Sequence, residues 1–216
     1  MSNIKNIIFD LGNVIIDLDM ERFDAAMKQL WGDHFENAHI ESEKRQFFNK
    51  FETGDISPEN FIWNWQHIFD QLEGKGSTLL EPNAIIKTWN SMLGPINPAR
   101  FEMLERLKAK YNLYIFSNTN SIHIDWVDRY LKREYNSSIP DFEKKYFEKV
   151  YYSHIIRARK PHVDGFLWIL DDADLIAEET LFIDDKMQNI DGAKLAGMQG
   201  LHHPVGNEIV NVLKDF

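Results

Sequence analysis

The chain has 216 residues, of which 44% are hydrophobic, so it can bury a sizeable core as one large domain or as a core with a smaller insertion. Its formal net charge of −10 disfavours nucleic acid and anionic membranes as partners, and an anionic substrate would need a local positive patch or a bound cation. The absence of cysteine excludes disulfides, zinc-thiolate sites and thiol chemistry.

The sequence also lacks the patterns of membrane and secreted proteins. No stretch stays apolar for the length of a membrane span, and the N-terminal apolar run is interrupted by Asp10 without a signal-peptide pattern. We therefore expect a cytoplasmic protein, a monomer or a homodimer, that acts on a small molecule and not on nucleic acid or a membrane.

The first predicted strand ends at a carboxylate. Ile4 and residues 7–9 form a short apolar run, typical of a strand buried on both faces of a parallel sheet, and the run stops at Asp10. Gly12 and Asn13 then allow a tight reversal. Open α/β folds bind ligands at the carboxyl edge of the sheet, so Asp10 is a candidate functional residue; an aspartate that only caps a turn gives the same pattern.

The segment from Asp17 to Gly94 is predicted to be helical. Apolar residues recur at helical spacing over 20–31, a second helical stretch includes 47–51, and Ser57 with Pro58 begins a third helix. Its tryptophans are expected mainly in the core of this segment.

Helices and strands alternate after Gly94. A helix is predicted to begin at Asn97-Pro98, and the strand 113–116 ends at the polar cluster 117–120. Ser117 and the following backbone amides could hold a phosphate, or the cluster could be an ordinary turn. The charged and aromatic region 125–149 is predicted as surface helix and loop.

Two further predicted strands lead to charged residues. The strand 150–152 precedes three cations that end at Lys160, next to the fixed turn of Pro161; a solvated loop has the same composition. The apolar run 180–183 stops at Asp184 and Asp185, which repel each other unless a cation lies beside them. A helix over 186–196, a strand near 199–203 and a short final helix are predicted to follow.

In a parallel sheet the carboxyl ends of all strands lie on one side, so the polar strand ends are predicted to converge. The residues concerned are Asp10, Ser117, Asn118, Lys160, Asp184 and Asp185. Carboxylates from two strands suit Mg²⁺, whereas a lysine and a hydroxyl suit phosphate oxygens. This set favours phosphoryl transfer to Asp10, followed by hydrolysis of the aspartyl-phosphate, with Mg²⁺ and Lys160 neutralising charge.

These motifs resemble those of the haloacid dehalogenase-like (HAD) hydrolases, in order and spacing, over nearly the whole chain. They are Asp10, Ser117-Asn118, Lys160-Pro161 and Asp184-Asp185 with Asn189. The resemblance implies an α/β fold: a Rossmann-like core, residues 1–16 and 95–216, with a parallel sheet flanked by helices, and an inserted all-helical (C1-type) cap, residues 17–94. The motifs are most similar to the bacterial phosphatase branch that contains α-D-glucose-1-phosphate phosphatase.

The resemblance also implies roles. Asp10 and Lys160 would be catalytic, and Lys160 would bind the phosphate together with Ser117 and Asn118. Asp10, Asp184, Asp185 and the carbonyl of Gly12 would hold Mg²⁺. Family phosphatases commonly carry a second aspartate, a general acid and base, where this chain has Gly12, so the leaving-group proton must come from elsewhere, from water, or not at all. Asp17 and Asp19 lie just downstream and could supply it, but they are expected to be solvated or structural.

Three functions are therefore considered. The first is a Mg²⁺-dependent phosphatase of small phosphorylated metabolites, sugar phosphates in particular. The second is a metal-independent dehalogenase, against which the pair Asp184-Asp185 argues, and the third is a non-catalytic protein that binds a phosphorylated ligand. Specificity is expected in the cap, where 51–55, Trp63 and Trp65 either face the substrate or form inner packing, and His123 is expected to be structural.

Overall fold

The structure is a computed structural model that describes residues 4–35, 47–73 and 80–216. Five strands form one parallel sheet in the order β3-β2-β1-β4-β5. They are β1 (Asn6–Phe9), β2 (Asn112–Ser117), β3 (Lys149–Tyr152), β4 (Thr180–Asp184) and β5 (Gln199–His202). Because β1 is central and every pair is parallel, Asp10 follows the middle strand at the carboxyl edge.

Helices fill the segments between the strands. Those between β1 and β2 are α1 (Met20–Trp31), α2 (described over 47–52), α3 (Pro58–Glu73), α4 (Pro82–Asn90) and α5 (Pro98–Lys108). The later helices are α6 (Ser121–Tyr135), α7 (Ile139–Tyr146), α8 (Ser153–Ile156), α9 (Val163–Asp172), α10 (Met187–Leu195) and α11 (Ile209–Val212). Across the described ranges, no helix combines the length and the apolar character that crossing a membrane requires.

Side-chain caps explain where several helices begin. The Asp19 carboxylate accepts from the amide of Arg22 at the start of α1, and the Asn97 side chain accepts from the amide of Ala99 at the start of α5, where Pro98 takes a first-turn position. The predicted helices at 20–31 and from Asn97-Pro98 are confirmed.

The two faces of the sheet pack against different helices. Successive strand residues point to opposite faces, so Ile7 and Phe9 enter one core and Ile8 enters the other. The first core includes residues of α5, α6, α7 and α11. The second core includes residues of α9 and α10. The predicted sheet flanked by helices is therefore confirmed.

The prediction of surface helix and loop for 125–149 is confirmed for the helices, but it missed their part in the core. This region forms most of α6 and all of α7, whose inward residues Tyr130, Leu131, Phe142 and Tyr146 are buried in the main core. The charged residues lie on the outer faces of these two amphipathic helices, and their number masks the apolar periodicity.

Helices α1 to α4, called the inserted helices below, have a separate hydrophobic cluster. It includes Met27, Trp31, Phe51, Phe61, Trp65 and Trp89. Trp65 has no exposed surface and is in contact with Trp31 and Trp89, so it forms inner packing. Trp63 is 56% exposed and stacks on His67 at the surface.

The chain enters and leaves the inserted helices through two paired linker segments. The amide of Asp17 donates to the carbonyl of Pro95 at 3.0 Å, and the amide of Gly94 donates to the carbonyl of Asp17 at 2.7 Å. The buried guanidinium of Arg100 anchors this junction through Asp17 at 2.7 Å and Glu208 at 2.9 Å. The predicted boundaries at 17 and 94 lie in these linkers, and residues 1–3, 36–46 and 74–79 of the predicted units lie outside the described residues.

The five strands and α5 to α11 are called the sheet domain below. The inserted helices also contact the sheet domain through the segment 52–55. Glu52 pairs with Arg159 at 2.6 Å, and Arg157 donates to the carbonyl of Gly54 at 3.3 Å. Gly54 has a φ of 69°, and a β-carbon built on it would overlap the carbonyl oxygen of His154. Glycine is therefore needed here both for conformation and for close approach.

We expect Gly54→Ala to destabilise the protein more than Gly32→Ala does. Gly32 also has a positive φ, 56°, but a β-carbon there meets nothing within 4 Å, so it carries only the backbone cost of about 1–3 kcal/mol. The overlap with His154 should add about 1–3 kcal/mol at Gly54. Chemical unfolding of the two variants and the wild type measures this; equal losses would contradict the contact.

Candidate active site

The carboxylate of Asp10 is fixed at the centre of the carboxyl edge. Its amide donates to the carbonyl of Ile183 on β4 at 2.8 Å, so the hydrogen bonding between β1 and β4 continues to Asp10, one residue past the end of β1. Its Oδ1 accepts from the amide of Leu11 at 2.7 Å, and the residue is 8% exposed. The side chain is therefore oriented by the turn that follows the strand.

Lys160 lies between two carboxylates. Its Nζ is 2.8 Å from Oδ1 of Asp10 and 2.7 Å from Oδ2 of Asp184, and the residue is 1% exposed. The ammonium also lies near the ring faces of Phe116 and Phe182, with centroids at 5.6 Å and 5.3 Å. Burial disfavours the charged lysine, but Asp10 and Asp184 outweigh burial and hold the pKa of Lys160 above its ordinary value.

Asn118 fixes the loop that carries Lys160. Its Oδ1 accepts from the amide of Lys160 and its Nδ2 donates to the carbonyl of Lys160, both at 2.9 Å. The side-chain amide thus uses one of its two N–H groups and its oxygen to fix the loop, which leaves its second N–H and its main-chain amide for a ligand. Ser117 is 3% exposed at the end of β2, next to this loop in the sequence.

Asp184 is a fully buried carboxylate with a complete set of partners. Besides Lys160, it accepts from the amide of Lys186 at 2.8 Å and from Nδ2 of Asn189 at 2.9 Å and 3.0 Å. Burial alone would raise the pKa of Asp184, but Lys160 and these hydrogen bonds hold it below its ordinary value. The carboxylate is therefore stably charged.

Asp185 is half-buried and bonds to different elements. Its Oδ2 accepts from Nδ2 of Asn13 at 2.8 Å, and its carbonyl bonds to Nε2 of His202 at 3.0 Å. Adjacent aspartates thus point to different partners: one to Lys160 inside the protein, the other to the turn after Asp10.

The three carboxylates fit a hard divalent cation. Ligand oxygens of Asp10, Asp184 and Asp185 all lie within 4.8 Å of one another. The pKa of Asp10 is raised to about 7, chiefly by burial and further by Asp184 and Asp185, although Lys160 opposes the rise. A cation bound to these oxygens would offset that repulsion, and an all-oxygen donor set suits Mg²⁺.

The space beside Gly12 is filled. A β-carbon built on Gly12 would lie 2.8 Å from Cδ1 of Leu18. Real β-carbons do not approach other carbons this closely, so any side chain at position 12 requires Leu18 to move. The position where family phosphatases commonly carry a second aspartate is thus occupied by an apolar side chain.

His123 connects α6 with the inserted helices. Its ring stacks on Trp89 with centroids 5.0 Å apart, and its Nδ1 bonds to Oδ1 of Asn90 at 2.9 Å. Burial lowers the pKa of His123 to about 3, so the imidazole is neutral at neutral pH. These contacts agree with the structural role expected from the sequence.

Four of the six residues predicted to converge are in mutual contact or close proximity, although Lys160 lies in the loop after α8 and not at the end of β3. Asp10, Lys160, Asp184 and Asp185 form one charged cluster. Asn13, which donates to Asp185, was not among the predicted site residues. Its signal is an asparagine in a tight reversal, since asparagine tolerates the left-handed conformation and carries both a donor and an acceptor.

This fold and charged cluster define a HAD-like hydrolase. Residues 4–197 match the haloacid dehalogenase-like hydrolase family, and the chain belongs to that family. It is 26% identical to a D-ribitol-5-phosphate phosphatase of Bacteroides thetaiotaomicron, over 91% of this chain and 90% of that protein. It is 28% identical to the sesquiterpene phosphatase astK of Aspergillus oryzae, over 92% of this chain and 89% of that protein.

One crystal structure has the same fold over nearly the full length of both chains. The wild-type HAD family enzyme from Bacteroides thetaiotaomicron, in complex with magnesium and inorganic phosphate, superposes with a TM-score of 0.80. It is 30% identical and covers 97% of this chain and 98% of its own. Together with the phosphatase relatives, this makes the chain a phosphoric monoester hydrolase.

Acid should destabilise the protein through His123. The unfolded histidine takes up a proton near its ordinary pKa of 6.5, whereas the folded one does so only near about 3, so stability falls as pH drops from 6.5 towards 3. Between pH 7 and pH 5 the loss at this site should be about 2 kcal/mol. His123→Phe keeps a ring against Trp89 but cannot titrate, and its unfolding free energy should fall less over the same interval. Parallel pH profiles for both proteins would contradict the assignment.

Proposed function

We propose that this hydrolase is a Mg²⁺-dependent phosphatase of small phosphomonoesters, with sugar and sugar-alcohol phosphates as its substrates. One observation carries the proposal: a buried lysine ammonium lies within 2.8 Å of Asp10 and 2.7 Å of Asp184 at the carboxyl edge of the sheet. The name of the D-ribitol-5-phosphate phosphatase supports the substrate class, and the magnesium and phosphate in the related crystal structure support the cofactor.

Asp10 is the proposed nucleophile. Both described contacts of its carboxylate involve Oδ1, which binds the amide of Leu11 and Nζ of Lys160, so we assign the attack to Oδ2. Oδ2 forms a bond to phosphorus while the bond from phosphorus to the alcohol oxygen breaks. Water then attacks the same phosphorus, which releases inorganic phosphate and restores the Asp10 carboxylate.

Positive charge and hydrogen bonds are supplied by residues around Asp10. Lys160 neutralises charge on the transferring group, and the hydroxyl of Ser117 with the main-chain amide of Asn118 holds phosphate oxygens. Asp10, Asp185 and the carbonyl of Gly12 would hold Mg²⁺, which supplies further charge neutralisation when bound. Asp184 would add negative charge beside the ion, because its oxygens already accept from Lys160, Lys186 and Asn189.

Position 12 cannot supply the proton that the leaving alcohol needs. Glycine has no acidic group, and Leu18 fills the space that a side chain would require. The histidine nearest in sequence to the Ser117 motif, His123, is neutral and already bonded to Asn90. We therefore propose that the alkoxide takes its proton from water and leaves a hydroxide ion. That hydroxide takes up the proton that the attacking water loses when the aspartyl-phosphate is hydrolysed, so the protons balance over the two steps.

The inserted helices are proposed as a cap that selects substrates. Residues 17–94 form this unit in the proposal, with the paired linkers as its base. The segment 52–55, held on the sheet domain by Glu52 and Arg159, is the part of the unit assigned to the substrate entrance. Trp65 is excluded from this role because it is fully buried.

The test is phosphate release from a panel of sugar phosphates and nucleotides, with Mg²⁺ and with a chelator. We expect turnover only with Mg²⁺, and Asp10→Asn should lower kcat by at least about 10³-fold because the attacking oxygen is lost. Asp125→Asn is the matched control, since Asp125 is an exposed residue of α6 paired with Arg129.

Other results would select another function. Chloride release from haloacids without Mg²⁺ would identify a dehalogenase. Binding of phosphorylated ligands without turnover of any substrate in the panel would identify a binding protein, and full activity of Asp10→Asn would exclude Asp10 as the nucleophile.

The contact between Gly12 and Leu18 predicts coupled stability effects. Gly12→Ala should lower the free energy of unfolding by about 1 kcal/mol, the low end of overpacking costs, because its β-carbon displaces the terminal methyl of the half-buried Leu18. In a Leu18→Ala background the same substitution should cost less than about 0.5 kcal/mol, because the space is vacated. A double-mutant cycle by chemical unfolding measures the coupling, and additive losses would contradict the packing.

A further inference from the structure

We infer that Asn13 is a positioning residue that orients the carboxylate of Asp185 and links it to the entrance of the inserted helices. The inference rests on the proposed function in one respect, since it takes Asp185 as a ligand of Mg²⁺. It adds a residue that touches neither the phosphate nor the metal in that proposal.

The backbone of Asn13 sets the direction of its side chain. Asn13 has a φ of 55°, in the left-handed region, and its amide donates to the carbonyl of Ile16 at 2.7 Å. Asparagine is among the few residues other than glycine that adopt this conformation readily. The turn after Asp10 is thus closed at Asn13, and glycine is the substitution that keeps its backbone unstrained.

The Nδ2 and Oδ1 atoms of the Asn13 side chain both form hydrogen bonds, and their partners are compatible with only one orientation of the amide. Nδ2 donates to Oδ2 of Asp185 at 2.8 Å, while Oδ1 accepts from the amide of Leu18 at 3.0 Å. A flipped amide would place an oxygen against the carboxylate and NH₂ against an N–H group. The side chain is therefore locked, and it holds Asp185 at a defined position relative to Leu18.

Leu18 belongs to the linker that leads into the inserted helices. It forms a bridge with Leu93 in the returning linker, and its side chain fills the space beside Gly12. One hydrogen bond thus joins the Asn13 side chain to Asp185 of the acidic cluster (Asp10, Asp184 and Asp185), and the other joins it to Leu18 of the linker. The cluster and the linker are therefore connected through the turn that follows Asp10.

Partners of this kind, which orient a metal ligand, typically change metal affinity by 10–100-fold when removed. Asn13→Gly removes both hydrogen bonds and keeps the left-handed backbone. Asn136→Gly is the matched control, because Asn136 has a φ of 49° at the C-terminal end of α6, remote from the acidic cluster in the sequence and in the fold.

The experiment titrates each protein with Mg²⁺ alone by calorimetry and follows hydrogen exchange of the Leu18 amide. We expect Asn13→Gly to raise the Kd for Mg²⁺ about 10–100-fold and Asn136→Gly to leave it within twofold. The Leu18 amide should exchange faster in Asn13→Gly, and Mg²⁺ should slow this exchange in the wild type but not in Asn13→Gly. Melting curves without Mg²⁺ establish that both variants are folded.

The outcomes separate this inference from the proposed function. If the wild type binds Mg²⁺ and Asn13→Gly binds it within twofold of the wild type, the positioning role is wrong and the proposed phosphatase stands. If Asn13→Gly binds Mg²⁺ more weakly but the exchange rate of the Leu18 amide is unchanged, the proposed connection between Asp185 and the linker at Leu18 is wrong. If the wild type itself binds no Mg²⁺, the metal dependence in the proposed function fails.

Discussion

The site depends on one buried ammonium shared by two buried carboxylates. Removing charges from water costs several kcal/mol per ion, and Lys160 is stable in the interior because Asp10 and Asp184 lie within 2.8 Å on either side. The reverse also holds: without the lysine, Asp10 and Asp184 would be two like charges at one end of the sheet. The compact ammonium fits between two oxygens and two aromatic rings, a geometry that the planar fork of arginine would not reproduce.

Neighbouring elements fix the position of that ammonium. Asn118, directly after β2, holds the main chain of Lys160 with two hydrogen bonds. Helix α10 holds the other side, since a β-carbon on Gly192 would overlap the carbonyl oxygen of Pro161. The same helix carries Asn189, which donates to Asp184. The ends of β2 and β4 and the loop that carries Lys160 are therefore held together by hydrogen bonds and packing between loops as well as by the sheet.

The inserted helices have their own core but are joined to the sheet domain at several places. Trp89 stacks on His123, Glu52 pairs with Arg159, and the linkers are anchored by Arg100. These contacts lie around the carboxyl edge, and they explain how a separately packed helical unit keeps a defined position beside Asp10 and Lys160. Substrate selection by this unit would follow from that position and from the half-buried ion pair of Glu52 and Arg159.

The amino-acid sequence by itself determined the sheet and the residues at its carboxyl edge. Short apolar runs that stop at Asp10, Ser117 and Asp184 identify strand ends, and parallel strands bring their ends together whatever their separation in the chain. It did not reveal that the helices of 125–149 bury one face in the core, because charged outer faces mask the apolar spacing there. Only the tertiary structure decided which partner each polar side chain takes: Asn118 with the Lys160 backbone, and Asn13 with Asp185. Such pairs depend on loop conformation and side-chain direction, and these arise from packing between segments that local sequence patterns do not relate.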